Sequence, residues 1–256
     1  MEPIKTIAIT GKGGTGKTMI ATLLIKQLSE KYKGRRILAI DADSAMSLPY
    51  TLNIRLNGTV SQLRKQLVGP QQGKDMKRDG SLKEWISQIV THAEGFDLLV
   101  MGRPEEPGCF CAVNELLKYS ISTLVDDYDV VIIDGEAGPE QLNRRVLAKI
   151  DQLLVVADMS ARSLATAGGI VDVAKAGDDG IRIGNAALVL NRVRDDKPDE
   201  AFLRKVGADI LGWFPEDPVL NQFDRDGNSL LNLPDDCACV KAVDELLGKL
   251  LEDYPG

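Results

Sequence analysis

Residues 11–18 read Gly-Lys-Gly-Gly-Thr-Gly-Lys-Thr, and this stretch decides the fold. The apolar run at residues 6–10 precedes it and is typical of a buried parallel strand. A helical pattern follows it, with apolar residues at Ile20, Leu23, Leu24 and Leu28. A strand, a glycine-rich turn and a helix in this order are the context in which the pattern G-x-x-x-x-G-K-[ST] forms a phosphate-binding loop.

The chemistry of this loop follows from its backbone and its charges. Glycines allow successive N–H groups to face one anion, and the following helix adds the partial positive charge of its N-terminus. Lys17 is expected to reach the β- and γ-phosphates, and the Thr18 hydroxyl to ligate Mg²⁺. The alternative is a glycine-rich turn that binds no ligand. The predicted nucleotide-binding residues of the loop are Gly11, Lys12, Gly13, Gly14, Thr15, Gly16, Lys17 and Thr18.

Length and composition suit one domain spanning positions 1–256, because 44% apolar residues supply a core and an α/β sheet of this size commonly forms one unit. We predict a doubly wound, mostly parallel central sheet flanked by helices, the P-loop NTPase architecture. The formal net charge of −7 argues against a general binder of nucleic acid or anionic membranes. Because the N-terminal segment is charged and no apolar run approaches about 18 residues, neither a signal peptide nor a membrane span is expected, and the predicted location is cytoplasmic.

Acidic residues end two of the predicted strands. The strand at residues 36–40 runs into Asp41-Ala-Asp43, and the strand at residues 129–133 ends in Asp134. Because parallel sheets bind ligands at the carboxyl ends of their strands, these carboxylates are expected beside the phosphates. We assign the attacking water to Asp43, a magnesium or supporting role to Asp41, and the magnesium shell to Asp134, as in a Walker B strand. The alternative for Asp41 and Asp43 is the solvated start of a loop.

The rest of the pattern predicts further strands and helices around this site. A strand ending at Leu190 places Asn191 where its side-chain amide can hydrogen-bond the adenine edge. His92 is the only histidine in the sequence, and with no nucleophilic partner identifiable it is expected to have a surface or packing role. The other predicted strands are residues 97–101, 153–156, 187–190 and 210–214; the other predicted helices are 81–90, 113–124 and 240–251, and residues 69–80 are expected to form a loop or insertion.

Two cysteine pairs have the spacing Cys-x-Cys. Cys109 and Cys111 precede a predicted helix, whose dipole favours the metal-binding thiolate, and the neighbouring prolines and Gly108 disfavour burial. One pair supplies two ligands, whereas a closed tetrahedral site needs four, so the simplest completion is the same pair from a symmetry-related subunit. Packing cysteines and a redox dithiol are the alternatives. Cys237 and Cys239 are either an accessory metal pair or small residues leading into a helix, and we favour the latter.

The lysine at position 12 makes the loop similar to that of a known class of ATPases. With this lysine the loop resembles the deviant Walker A of the nitrogenase iron protein and Min/Par class of ATPases. The resemblance implies that Lys12 reaches across a nucleotide-sandwich dimer to the partner's phosphates. It also implies that residues 41–43 and Asp134 are the switch I and switch II positions, and that Asn191 and Pro215 belong to the nucleotide site. The expected ligands are ATP or ADP with Mg²⁺.

Within this class the chain resembles one branch along its whole length. That branch comprises the CooC-type nickel-insertion ATPases, which mature carbon monoxide dehydrogenase, and their relatives that serve acetyl-CoA synthase. The resemblance rests on residues 101–111, 134–145, 215–218 and 229–234. It implies an ATPase that forms a homodimer and delivers nickel to a client nickel enzyme through the Cys-x-Cys site at the dimer interface. Zinc is expected to bind the same thiolates readily, because thiolates discriminate poorly between the two metals.

Two departures from the family pattern are visible. After Asp43 the family usually has proline and further polar residues, whereas this chain has Ser44-Ala-Met-Ser47, so switch I is expected to hold magnesium or the attacking water somewhat differently. Cys237-Ala-Cys239 is not part of the family pattern.

Two rival interpretations remain. One is an ATP-dependent electron donor in which four thiolates hold a [4Fe–4S] cluster; the Cys-x-Cys spacing counts against it, because such iron proteins take their two cysteines from separate loops. The other is a partition or positioning switch that acts on DNA or a membrane. The negative charge and the lack of a basic terminal helix disfavour it.

Overall fold

The computed structural model describes residues 5–68, 82–103, 110–135, 149–176, 182–194 and 209–251. Their strands are β1 (Thr6–Gly11), β2 (Ile37–Asp41), β3 (Thr91–Ala93), β4 (Phe96–Val100), β5 (Val130–Asp134), β6 (Lys149–Asp158), β7 (Arg182–Val193) and β8 (Ile210–Pro215). They form one sheet in the order β3-β4-β2-β5-β1-β6-β7-β8. Every neighbouring pair is parallel except the antiparallel pair β3–β4 at one edge. The predicted mostly parallel sheet is confirmed.

Helices cover both faces of this sheet. In the described residues they are α1 (Lys17–Lys31), α2 (Ser47–Leu52), α3 (Val60–Val68), α4 (Leu82–Ile89), α5 (Phe110–Leu124), α6 (Ala161–Ala176), α7 (Pro218–Asp226) and α8 (Ala238–Leu251), with short 3₁₀ turns at Val125–Asp127 and Leu230–Asn232. None of the described helices is long and apolar enough to cross a bilayer.

Alternate residues along the strands face two separate hydrophobic cores, as the period of two in a strand requires. Ile7 and Ile9 of β1 belong to the core under α1, α2 and α8, whereas Ala8 faces the core under α3, α4, α5 and α6. The apolar residues predicted for α1 are all buried in the first core. Because both faces of the sheet are covered, its central strands are nearly continuous apolar runs.

Strand register brings the functional strand ends together. β1 lies between β5 and β6, with Ile9 opposite Asp134 and Gly11 opposite Val156. Asp41 of β2 lies opposite Asp134 of β5, and Asn191 ends the stretch of β7 that pairs with β6. The phosphate loop, the acidic strand ends and Asn191 therefore share the carboxyl edge of the sheet.

Several short elements differ from the sequence expectations. The strand β3, a hairpin partner of β4 through the two-residue turn at Glu94 and Gly95, was not predicted, nor were α2, α3 and α7. His92 lies on β3 with its ring largely exposed, and its Nδ1 is 2.6 Å from Asp97 Oδ1, so the expected surface role fits. The turn-rich stretch at residues 69–80 lies outside the described residues.

Candidate nucleotide-binding site

A cleft of about 390 Å³ opens at the carboxyl edge of the sheet, beside the N-terminus of α1. Its walls come from the phosphate loop, from α2, from the end of β7 and from the segment that joins β8 to α7. The lining residues are Gly13, Gly14, Gly16, Lys17, Thr18, Met19, Asp43, Ser47, Thr51, Asn191, Arg192, Pro215, Glu216, Asp217, Leu220, Asn221, Asp224 and Leu230. Eight of the predicted site residues thus line one cavity: Gly13, Gly14, Gly16, Lys17, Thr18, Asp43, Asn191 and Pro215.

Two glycines of the loop are required by its geometry. Gly11 has φ +145°, and a Cβ at this position would collide with the carbonyl oxygen of Val156 on β6. Gly16 is left-handed, with φ +96°, and a Cβ there would collide with the side-chain nitrogen of Asn191. Helix α1 therefore begins without a side-chain cap, and its first turn contains no acidic residue. Its first N–H groups are free to bind an anion.

Asn191 is tied to the loop in this structure. Its side chain is 2% exposed, and its Nδ2 donates a hydrogen bond of 2.7 Å to the Thr15 carbonyl oxygen, while its Oδ1 accepts from the Arg192 N–H at 2.9 Å. The amide has a second N–H and the oxygen a second lone pair, so these bonds leave room for the predicted contact with adenine. The contact itself remains a prediction.

Two buried carboxylates lie side by side beneath the loop. Asp41 and Asp134 are both 0% exposed and occupy paired positions on β2 and β5. Burial raises the pKa of Asp41 to about 7, with Asp134 adding to the effect, although backbone N–H groups of Asp43 and Leu48 act against it. Burial likewise raises the pKa of Asp134 to about 7, while Thr18 and Lys17 act in the opposite direction. The two carboxyl groups differ in their hydrogen bonds.

Asp41 holds its neighbours in place. One of its oxygens accepts from the Asp43 N–H at 3.0 Å, and the other accepts from the Leu48 N–H at 3.0 Å. Neither oxygen of Asp134, in contrast, has a hydrogen-bond partner among the described residues. The Thr18 side chain is near enough to act on the pKa of Asp134, and a buried carboxylate beside a hydroxyl is the kind of hard oxygen donor that Mg²⁺ takes. This donor set fits a magnesium ion.

The two loop lysines and Asp43 occupy different places. Lys17 is buried and lines the cleft, whereas Lys12 is half-buried and outside the cleft lining. The Lys12 carbonyl accepts the Thr15 hydroxyl at 2.8 Å, which closes the turn of the loop. Asp43 is half-buried, and its Oδ1 accepts from the Ala45 N–H at 2.8 Å.

Sequence reasoning missed part of the cleft wall. Asp217 is 6% exposed, caps α7 by accepting from the N–H groups of Val219 and Leu220, and also accepts from the Cys239 N–H. Burial alone would raise the pKa of Asp217, but these N–H groups outweigh it and lower the pKa. The signal was present in the sequence, because an Asp followed by Pro218 is typical of a helix start. Thr51 of α2 carries no comparable signal.

The first Cys-x-Cys pair follows β4. Helix α5 begins at Phe110, so Cys111 lies in its first turn rather than before the helix as predicted, and Cys109 lies outside the described residues. A helix end frays easily, which explains a boundary shift of this size. Within the described residues no group of three or more His, Cys, Asp or Glu side chains could hold a metal ion.

The second pair is part of the core. Cys237 and Cys239 are free thiols with 7% and 1% exposure, packed in the core under α8. Burial raises the pKa of both thiols, and the charge of Asp217 adds to this. Because the helix α8 begins at Ala238, the pair lies at its start, which fits the expectation that these are small residues leading into a helix; that they bind no metal stays a prediction.

Comparisons with known proteins agree with this arrangement. Residues 6–230 match the model of the CobQ/CobB/MinD/ParA nucleotide binding domain. An uncharacterized ATP-binding protein of Methanocaldococcus jannaschii is 36% identical over 96% of this chain and 98% of its own. The carbon monoxide dehydrogenase accessory protein CooC of Rhodospirillum rubrum is 30% identical over 96% of each chain.

A solved structure shares the fold. The septum site-determining protein MinD from Pyrococcus horikoshii, complexed with Mg-ADP, superposes with a TM-score of 0.69 at 23% identity, covering 96% of this chain and 95% of that one.

Proposed function

The chain belongs to the CobQ/CobB/MinD/ParA family of nucleotide-binding ATPases, and we propose that it couples ATP hydrolysis in a homodimer to the delivery of nickel. The client is a nickel enzyme of the carbon monoxide dehydrogenase or acetyl-CoA synthase type. The observation that carries the proposal is the position of α5: it follows a parallel strand, and its first turn, with Cys111, therefore lies on the same edge of the sheet as the nucleotide cleft.

The strand order sets the distance between the two sites. β4 is three strand spacings from β1, which corresponds to roughly 14 Å at about 4.8 Å per spacing. A second subunit that covers this edge through a two-fold axis would thus meet both the phosphate loop and the Cys109/Cys111 segment. Four thiolates from two chains complete a tetrahedral site that one chain cannot supply.

The chain's own groups have distinct roles in hydrolysis. Lys17 and the N–H groups of the loop hold the phosphates, and Asp43 orients the attacking water. Thr18 and Asp134 hold Mg²⁺, which neutralises charge on the phosphate oxygens when bound. Lys12 acts on the nucleotide of the partner subunit, in keeping with its position outside the lining of its own cleft.

The relatives support both halves of the proposal. The similarity to CooC, an accessory protein of carbon monoxide dehydrogenase, extends over nearly the whole of both chains and supports the nickel client. The MinD structure holds Mg-ADP and supports the nucleotide and its metal. Because MinD is a septum-site protein with the same fold, a positioning switch is the second candidate function.

The two cysteine pairs give a matched test. In Cys109→Ala/Cys111→Ala, nickel in the dimer fraction should fall close to zero while ATP binding is kept. In Cys237→Ala/Cys239→Ala, nickel should stay at the wild-type level, because those thiols are buried, although the cavities should cost about 1–3 kcal/mol of unfolding free energy. Metal analysis of the dimer, formed with nickel and a non-hydrolysable ATP analogue, measures both.

Four results would overturn the metal site, its metal or the proposed function. Full nickel in the Cys109/Cys111 variant would show that the site is elsewhere. Loss of nickel only in the folded Cys237/Cys239 variant would move it to the core pair. Iron and sulfide in anaerobically purified protein would favour the electron donor. A salt-sensitive association with DNA or anionic liposomes, without bound nickel, would favour the positioning switch.

A further inference from the structure

Helix α2 is a short, sharply bounded unit beside the nucleotide cleft. It spans six residues, and both residues that flank it are left-handed: Met46 with φ 56° and Asn53 with φ 54°. Only three non-glycine residues in the described part of the chain have positive φ, and these are two of them. Such residues cost free energy and persist where the surrounding contacts hold them, so the position of α2 is fixed by its packing.

A pair of threonine hydroxyls joins α2 to the phosphate-loop helix. Thr22 of α1 is fully buried, and its Oγ1 lies 2.6 Å from Thr51 Oγ1. The Thr22 hydroxyl is also 2.8 Å from the Thr18 carbonyl oxygen, and the Thr51 hydroxyl is 3.0 Å from the Leu48 carbonyl oxygen. Each hydroxyl has one proton, so two of these three hydrogen bonds form at a time. Either Thr51 donates to Thr22, which donates to the Thr18 carbonyl, or Thr22 donates to Thr51, which donates to the Leu48 carbonyl. The Thr22–Thr51 bond is part of both arrangements and links the two helices.

The first turn of α2 is tied to the acidic strand end. Leu48 N–H donates to one oxygen of Asp41, whose other oxygen accepts from the N–H of Asp43. A continuous set of contacts thus runs from Thr18 through Thr22, Thr51 and α2 to the backbone of Asp43. Both ends of this set line the nucleotide cleft.

We propose that Thr22 and Thr51 are positioning residues, which couple the nucleotide at Thr18 to the placement of Asp43 through α2. For hydrolysis this rests on the proposed function, because it takes Asp43 as the residue that orients water. The coupling itself requires only that the chain binds a nucleotide, and neither hydrolysis nor nickel delivery is needed for it. The Thr22–Thr51 bond also offers a reason why this chain needs no proline after Asp43. The segment Ser44-Ala-Met-Ser47 leads into α2, and α2 is held in place by its bond to α1.

The test compares two variants of one residue. Thr51→Val keeps the shape of the side chain and removes the hydroxyl, whereas Thr51→Ser keeps the hydroxyl. Hydrogen exchange of peptides covering residues 43–53 is measured without nucleotide and with Mg·ADP or a non-hydrolysable ATP analogue. Nucleotide should slow exchange in the wild type and in Thr51→Ser, but not in Thr51→Val, while the protection of residues 11–18 is kept in all three.

Steady-state ATPase kinetics give a second readout. In Thr51→Val, kcat should fall about tenfold through misplacement of Asp43, while KM stays within about threefold, because the phosphate contacts are intact. Thr22→Val should have the same effect, and the double variant should be no worse than either single variant, since both changes remove the same bond between the two helices.

The inference is wrong if Thr51→Val keeps the nucleotide-dependent protection of residues 43–53, or if Thr51→Ser loses it to the same extent. Failure of the proposed function looks different: nickel or the dimer is absent while the exchange coupling persists. The exchange measurement decides the inference even if the wild type hydrolyses no ATP.

Discussion

Asn191 shows how one side chain can serve both the fold and the site. Its buried amide bonds the Thr15 carbonyl, and it occupies the space that a side chain at position 16 would need. The loop pattern predicted a glycine at this position so that backbone N–H groups can face an anion, but it did not reveal the contact with Asn191. The reason lies 175 residues away along the chain, at the end of β7, where only the assembled sheet brings Asn191 against the loop.

Gly16→Ala should therefore disable the loop. A methyl group would displace Asn191 from Thr15, and a left-handed alanine is strained, so the ATP dissociation constant should rise at least about tenfold, with a loss of about 1–3 kcal/mol in unfolding free energy. Titration calorimetry with Mg·ATP and urea denaturation measure the two effects.

Gly248→Ala is the matched control for this change. Gly248 lies inside α8, where a Cβ would meet no atom within 4 Å. Alanine should here stabilise the helix by about 0.5–1 kcal/mol and leave ATP binding unchanged. Wild-type ATP affinity in Gly16→Ala would show that the contact with Asn191 does not hold the loop.

Among the elements, those that could be predicted from sequence are the ones with long apolar patterns. The strands β1, β2 and β5 are buried on both faces, so their sequences are nearly continuous apolar runs, and α8 has a clear apolar face. Short elements lack that signal: β3 has three residues and α2 has six. Such elements are stabilised by contacts such as Thr22–Thr51, which join distant parts of the chain. These contacts produce no periodic pattern in the sequence.

Sequence patterns also do not predict the contacts between the start of β6 and the start of β1. Asp151 on β6 accepts from the N–H groups of Lys5 and Thr6 at 3.0 and 2.8 Å, and it pairs with Lys149 at 3.0 Å. Burial alone would raise the pKa of Asp151, but these partners outweigh it and lower the pKa. Asp151 thereby fixes β6 to the start of β1.

The lowered pKa of Asp151 sets a pH dependence. Asp151→Asn should lose about 1–2 kcal/mol of unfolding free energy at pH 7, because a charged acceptor is replaced by an amide. A lowered folded-state pKa contributes stability above the unfolded value near 3.8 and loses it as pH falls through the folded value. The difference from wild type should thus be constant from pH 7 to 5 and shrink below pH 4.

Asp126→Asn provides the comparison for urea denaturation across this range. Asp126 also lies near Lys5, at 3.8 Å, but it is 91% exposed, so its loss should change stability by less than about 0.5 kcal/mol at any pH. Equal effects of the two substitutions would mean that general charge, and not the bonds to β1, explains the result.

In the molecule as a whole, the candidate functional residues lie along one edge of the sheet. The nucleotide cleft and the first turn of α5 both lie at the carboxyl ends of the parallel strands. The sequence was sufficient to predict the parallel strands, the phosphate loop and the acidic strand ends, because each has a local pattern. It could not supply the cleft wall formed by α2 and α7, which depends on how remote segments pack.

Nickel content and oligomeric state measured together test the central claim most directly. Wild-type protein with nickel is separated by size with Mg·ADP and, in parallel, with Mg²⁺ and a non-hydrolysable ATP analogue, and the metal in each peak is quantified. We predict a dimer with one nickel per two chains in the presence of the analogue, and a lower nickel content with ADP. A dimer without nickel, or the same nickel content in a monomer peak with either nucleotide, would contradict a nucleotide-controlled metal site shared between two subunits.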